Sequence, residues 1–103
     1  MIKDLNDVNF DQATSGAKVV IEFWAPWCGP CEVLGSIMDE IAKEYPEMEF
    51  YKINVDEYPA LADKHSIHSI PTLLFYQRGK LVDSIIGVVS VGVIVKRLER
   101  INS

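Results

Sequence analysis

Lys18-Val19-Val20-Ile21-Glu22-Phe23-Trp24-Ala25-Pro26-Trp27-Cys28-Gly29-Pro30-Cys31 is the stretch on which the reading of this chain turns. Through Trp24 it is almost continuously apolar and β-branched, as in a strand buried on both faces in the middle of a sheet with parallel neighbours. Ala25-Pro26-Trp27-Cys28-Gly29-Pro30 then breaks the run and predicts a loop. Beyond it, Leu34, Ile37, Met38, Ile41, Ala42 and Tyr45 recur at helical spacing, the stripe of an amphipathic helix that Pro46 ends. The two cysteines therefore fall where a buried strand gives way to a helix.

Further along, residues 48–55 predict a strand with Phe50, Ile53 and Val55 as its main apolar side chains. Asp56 is placed to cap a short helix running through Ala60, Leu61 and Lys64. After the loop at 66–71 come a strand at 72–76, a turn at Arg78-Gly79 and a hairpin partner at 81–86, which Gly87 interrupts. Ser90 caps a last helix with Val91, Ile94, Val95, Leu98 and Ile101 on its apolar face. On the N-terminal side, a short strand is expected at 2–5 and a helix over Phe10–Thr14. The order β-α-β-α-β-α-β-β-α predicts an α/β fold, a central mixed β-sheet flanked by helices on both faces. No repeat, linker or low-complexity run divides the 103 residues, so one domain spanning 1–103 is expected.

Bulk properties narrow the function classes. Hydrophobic residues make up 49% of the chain, enough for one core without metal or disulfide staples. The net charge of −5 argues against a protein that coats nucleic acid or binds anionic membranes, both of which call for clustered Lys and Arg. No apolar run approaches the ~20 residues of a spanning helix. Residues 1–7 carry Asp4 and Asp7 where a secretory signal would have a basic head and an apolar core, and the last residues show no retention or lipidation signal. A cytoplasmic location and a monomer are the default expectations.

The two cysteines close too small a loop to brace a fold. A zinc site needs about four ligands, and His65 and His68 do not supply a second ligand pair of the usual spacing, so no metal is expected. Redox chemistry fits better. A helix start offers unpaired N–H groups and the positive end of the helix dipole, which stabilise a thiolate. Cys28, at that start, is expected to be the exposed attacking nucleophile. Cys31, one turn inside, is expected to be the more buried resolving thiol. Pro30 costs little in the first turn, where its missing N–H has no partner to lose, and with Gly29 it shapes the dithiol loop.

Phe23 through Cys31 closely resembles the active-site run of the thioredoxin family. Ser69-Ile70-Pro71-Thr72 is similar to the loop that carries that family's cis-proline, 51–56 to its central strand, Arg78-Gly79-Lys80 to its hairpin turn, and Gly87 to the glycine beside its substrate groove. These marks come in family order over nearly the whole chain. The resemblance implies the thioredoxin fold and a protein-disulfide reductase. It implies a reversible Cys28–Cys31 dithiol/disulfide cycle with no bound cofactor, recycled by an external reductase of the thioredoxin-reductase type. Disulfide-containing proteins would be the substrates. Trp27, Ile70, Pro71 and Gly87 would form the substrate-binding surface, with Pro71, if cis, presenting the Ile70 backbone for strand-like pairing.

Three positions depart from the family pattern. Glu22 stands where thioredoxins usually carry a buried Asp. Strand alternation sets it within the apolar run, where burial should raise its pKa toward that of a usable general base for Cys31, with Lys52 as its neighbour. Glu32 follows Cys31 where Lys or Arg is common, and Ser36 replaces a helix-kinking proline. Glu at position 22 is more like the catalytic domains of protein disulfide isomerase, so a disulfide oxidase or isomerase is one alternative. A redox-independent binding subunit of another enzyme is the other. His65 and His68 are expected to be solvated and without a catalytic role.

Overall fold

The computed structural model describes residues 2–102. They run β1 (Ile2–Asp4), α1 (Phe10–Thr14), β2 (Val19–Trp24), α2 (Gly29–Glu44), β3 (Glu49–Asn54), α3 (Pro59–Lys64), β4 (Thr72–Gln77), β5 (Lys80–Ile86) and α4 (Val91–Asn102). This is the expected order. The strands form one sheet in the order β1-β3-β2-β4-β5. β1 and β2 run parallel to β3, whereas β4 is antiparallel to both β2 and β5. The central strand β2 therefore has one parallel and one antiparallel neighbour rather than the two parallel neighbours its apolar run suggested. Burial on both faces needs only cover by helices on each side, and either strand direction allows it.

Alternation along β2 divides the core. Val20 points toward α2 and α4, packing with Leu34, Met38, Ile94 and Leu98. Val19, Ile21 and Phe23 point the other way, toward Phe10 of α1 and Leu61 and Ala62 of α3. Each such fully buried side chain contributes about 1.5–3 kcal/mol relative to exposure. Glu22 and Trp24 share Val20's face by the same alternation.

Helix α2 runs unbroken from Gly29 to Glu44, and Pro46 lies two residues beyond its end. Its neighbour α4 starts as predicted, with Val93 N–H donating to Ser90 Oγ at 3.3 Å. Val91, expected on the buried face of α4, is half exposed instead, where it lines a groove between α2 and α4. The β4–β5 hairpin turns on Arg78 (φ 51°) and Gly79 (φ 83°). Positive φ at both central residues is the twist-matched hairpin geometry, and glycine takes the second position at no steric cost.

Asp56 does not cap α3. The cap position is Tyr58, with Pro59 opening the helix, and Asp56 lies in the turn before it. No described helix is long and apolar enough to cross a membrane.

Candidate redox site

Cys28 is the N-cap residue of α2, in extended backbone conformation (φ −90°, ψ 105°). Its Sγ accepts the Cys31 backbone N–H at 3.2 Å, one of the helix-start donors that have no partner within the helix. Cys28 N–H in turn donates to Ala25 O at 3.2 Å, which curls the loop out of β2 into the helix. Pro30 sits in the first helical turn, where no helical hydrogen bond is lost to it. The two sulfurs are bonded to each other, with Cα atoms 5.2 Å apart, within the ordinary span of a disulfide.

Cys28 is not the exposed member of an unequal pair. It is 6% exposed and Cys31 3%, because Ala25, Trp24, Val55 and Ile70 pack around both. What distinguishes the two is position: Cys28 caps the helix and faces the Ile70–Pro71 loop, whereas Cys31 sits inside the first turn. Cys28 Sγ lies 3.9 Å from the Ile70 carbonyl oxygen.

The Ile70–Pro71 peptide bond is cis, as the loop resemblance implied. Thr72 Oγ1 donates to Ser69 O at 2.6 Å and fastens this loop from within. Gly87 N–H donates to Pro71 O at 2.8 Å, so the end of β5 is tied to the proline loop. Gly87 has a φ of +86° and open space where a Cβ would stand, so chain can approach its backbone closely.

Trp27 is 71% exposed, the outermost large apolar side chain beside the dithiol. Its indole N–H donates to Asp56 Oδ2 at 2.9 Å, which fixes the ring's orientation at the surface. Asp56 was thus assigned the wrong task by its local sequence: the partner it serves is 29 residues away. Ile86 and Val88, exposed on either side of Gly87, extend the apolar surface and were not singled out by the sequence. The run Ile85-Ile86-Gly87-Val88-Val89 at a strand end does not itself say which of its side chains are exposed.

Glu22 lies below this surface, 4% exposed. It is not a solvated edge carboxylate. With Trp24, Cys28, Cys31, Asp39 and Lys52 it lines a cavity of about 410 Å³. Burial pushes its carboxyl from 4.5 up to about 7, while Lys52 pulls it down and Asp39 pushes it up. Lys52 stands opposite Glu22 in the β2–β3 register. Its Nζ rests 5.1 Å from the centroid of the Trp24 ring, a cation–π position. Trp24 packs next to the cysteines, and its indole N–H is buried with no hydrogen-bond partner among the described residues.

Of the two histidines, His68 is exposed as expected. His65 is not solvated. Its ring packs on Phe10 with centroids 4.4 Å apart, and burial lowers its pKa. Among the described residues, no group of three or more His, Cys, Asp and Glu side chains could hold a metal ion.

Residues 1–100 match the Thioredoxin family model. The chain is 42% identical over 102 residues to the M-type chloroplastic thioredoxin of Pisum sativum, covering 96% of this chain and 59% of that protein. It is 41% identical over 88 residues to thioredoxin 1 of Synechococcus elongatus, covering 82% of each. Among solved structures, mitochondrial thioredoxin 3 of Saccharomyces cerevisiae in its oxidised form superposes with a TM-score of 0.89 at 31% identity, covering 96% of this chain and 94% of that one. The chain spans less than three fifths of the pea and spinach relatives it matches.

Proposed function

The chain belongs to the thioredoxin family, and on that premise we propose that it is a thiol–disulfide oxidoreductase that reduces disulfides in other proteins. The observation that carries this is the Cys28–Cys31 disulfide at the start of α2, with the Ile70–Pro71 backbone beside it. In the reduced protein, the Cys28 thiolate attacks one sulfur of a substrate disulfide. The Cys28–substrate bond forms as the substrate's own S–S bond breaks, and the other substrate sulfur leaves as a thiolate. Cys31, deprotonated, then attacks Cys28 Sγ. This restores the intramolecular disulfide and expels the second substrate thiolate, so two electrons have passed from the dithiol to the substrate. An external reductase returns two electrons and two protons.

Each nearby residue has a task. Gly29 and Pro30 hold the dithiol loop and leave the Cys31 N–H directed at Cys28 Sγ, where it stabilises a thiolate. Trp27, Ile70, Pro71 and Gly87 receive the substrate segment, with the Ile70 backbone available for strand-like pairing. Glu22 takes the proton of Cys31. Its burial and its pKa of about 7 suit a general base near neutral pH. Lys52 tempers that pKa from across the register.

The protein works as a single-domain monomer in a reducing compartment. That compartment is the cytosol or a chloroplast, the location named for the pea and spinach relatives. Glu22 also favours a second reading, a disulfide oxidase or isomerase, and the reduction potential separates the two, being low for a reductant. The test of the main proposal is reduction of insulin disulfides by the protein supplied with a thioredoxin reductase and NADPH. Turnover at catalytic protein concentration is expected; none with any electron donor overturns the assignment.

A further inference from the structure

Four segments converge on the dithiol, and their charges are unbalanced. The first turn of α2 brings Glu32, directly after Cys31 and exposed. The β3–α3 turn brings Asp56, held against Trp27 by its hydrogen bond, and Glu57, also exposed. The proline loop, 66–71, brings only His68, and the stretch 87–90 after β5 brings no charged residue. Beneath them lies Glu22, nine-tenths buried, facing the cysteine cavity and without a hydrogen-bond partner among the described residues. Among the described residues Lys52 is the one cation that lines this cavity, and its Nζ is engaged over Trp24. A substrate disulfide docking on Trp27 and the Ile70 backbone therefore meets carboxylates on two sides and, among the described residues, no free cation.

Building on the reductase assignment, we infer that Glu32, Asp56 and Glu57 make this site selective for protein disulfides flanked by Lys or Arg. Glu32 and Glu57 are specificity-determining residues: they touch the flanks of the substrate, not the reacting sulfurs. Like charges brought together on docking lower the encounter rate and opposite charges raise it. Because these carboxylates are exposed, the effect belongs chiefly to association and is screened by salt.

The test uses three peptides, each with one disulfide, flanked by Lys, by Glu or by Ser. The second-order rate constant for oxidation of the pre-reduced protein is measured by stopped flow. Each value is divided by the rate for the same peptide with dithiothreitol, whose thiolate has no carboxylates around it, which removes the effect of flanking charge on the disulfide and on attack by any thiolate. The Lys-flanked peptide is expected to react roughly tenfold faster than the Glu-flanked one at low ionic strength, with the gap closing near 0.5 M salt. Glu32→Lys combined with Glu57→Lys should erase or invert that ratio while the Ser peptide sets the baseline for any change in the thiolate itself. Equal normalised rates for the three peptides, or a ratio unmoved by the double substitution, overturns this inference and leaves the reductase assignment standing. Failure to reduce any of the peptides overturns both.

Discussion

Glu22 on β2 and Lys52 on β3 stand directly opposite each other in parallel register, yet the lysine nitrogen rests over the Trp24 ring rather than forming a close ion pair with the carboxylate. The relationship leaves Glu22 desolvated and only partly compensated, which is why its pKa climbs to about 7 in spite of a cation on the next strand. The raised pKa bears on stability and, on the proposed role of Glu22, on catalysis.

For stability, the sign is set by which form the fold prefers. Glu22 binds its proton more tightly folded (about 7) than unfolded (4.5). Its contribution is intact below pH 4.5 and is lost as pH rises to about 7. At about 1.4 kcal/mol per unit, the loss approaches roughly 3 kcal/mol. Glu22→Gln should therefore match the native protein in urea melts at pH 4 and exceed it at pH 8. A constant difference across that range would mean that the carboxyl does not titrate near neutrality.

For catalysis, the proposed role of Glu22 as base for Cys31 requires its deprotonated form. Resolution of the mixed disulfide should quicken as pH rises through about 7, the point at which Glu22 becomes a base. Glu22→Gln should slow that step roughly a hundredfold and remove the inflection. Single-turnover kinetics from pH 5.5 to 8.5 read both.

Asp56→Ala releases Trp27. The lost hydrogen bond is exposed, so the stability cost should stay at about 1 kcal/mol or below. In NMR spectra the Trp27 indole N–H resonance should shift and broaden while that of Trp24, which has no such partner among the described residues, stays in place. Movement of both, or of neither, would count against the hydrogen bond.

His65 runs in the opposite direction to Glu22. Burial against Phe10 favours its neutral form, Lys64 adds to the lowering and Asp11 opposes it. Its contribution is complete above pH 6.5 and is lost as pH falls toward the lower folded value. His65→Phe should flatten the decline in melting temperature between pH 6.5 and 4.5, and an unaltered decline would assign the acid sensitivity elsewhere.

The local pattern carried most of the architecture. Phe10–Thr14 is helical as read, the continuous apolar run became the central strand, and that run together with the family resemblance put Glu22 inside. What local pattern missed depends on contacts remote in sequence. Asp56 looks like a helix cap until Trp27 is brought to it, and His65 looks solvated until Phe10 covers it. Likewise, the antiparallel neighbour of β2 is set by sheet order, which no single strand encodes. Cys28 is covered by Ile70, 42 residues away, so its burial could not be read from the helix start alone.

The division of labour between the two cysteines is most directly tested by trapping. Cys31→Ser, pre-reduced and mixed with a protein disulfide, should accumulate a one-to-one adduct bonded through Cys28, visible by mass spectrometry and released by dithiothreitol. Cys28→Ser should form none. An adduct with Cys28→Ser instead, or with neither variant while the native protein still reduces the substrate, would contradict the assignment of Cys28 as nucleophile and Cys31 as resolving thiol.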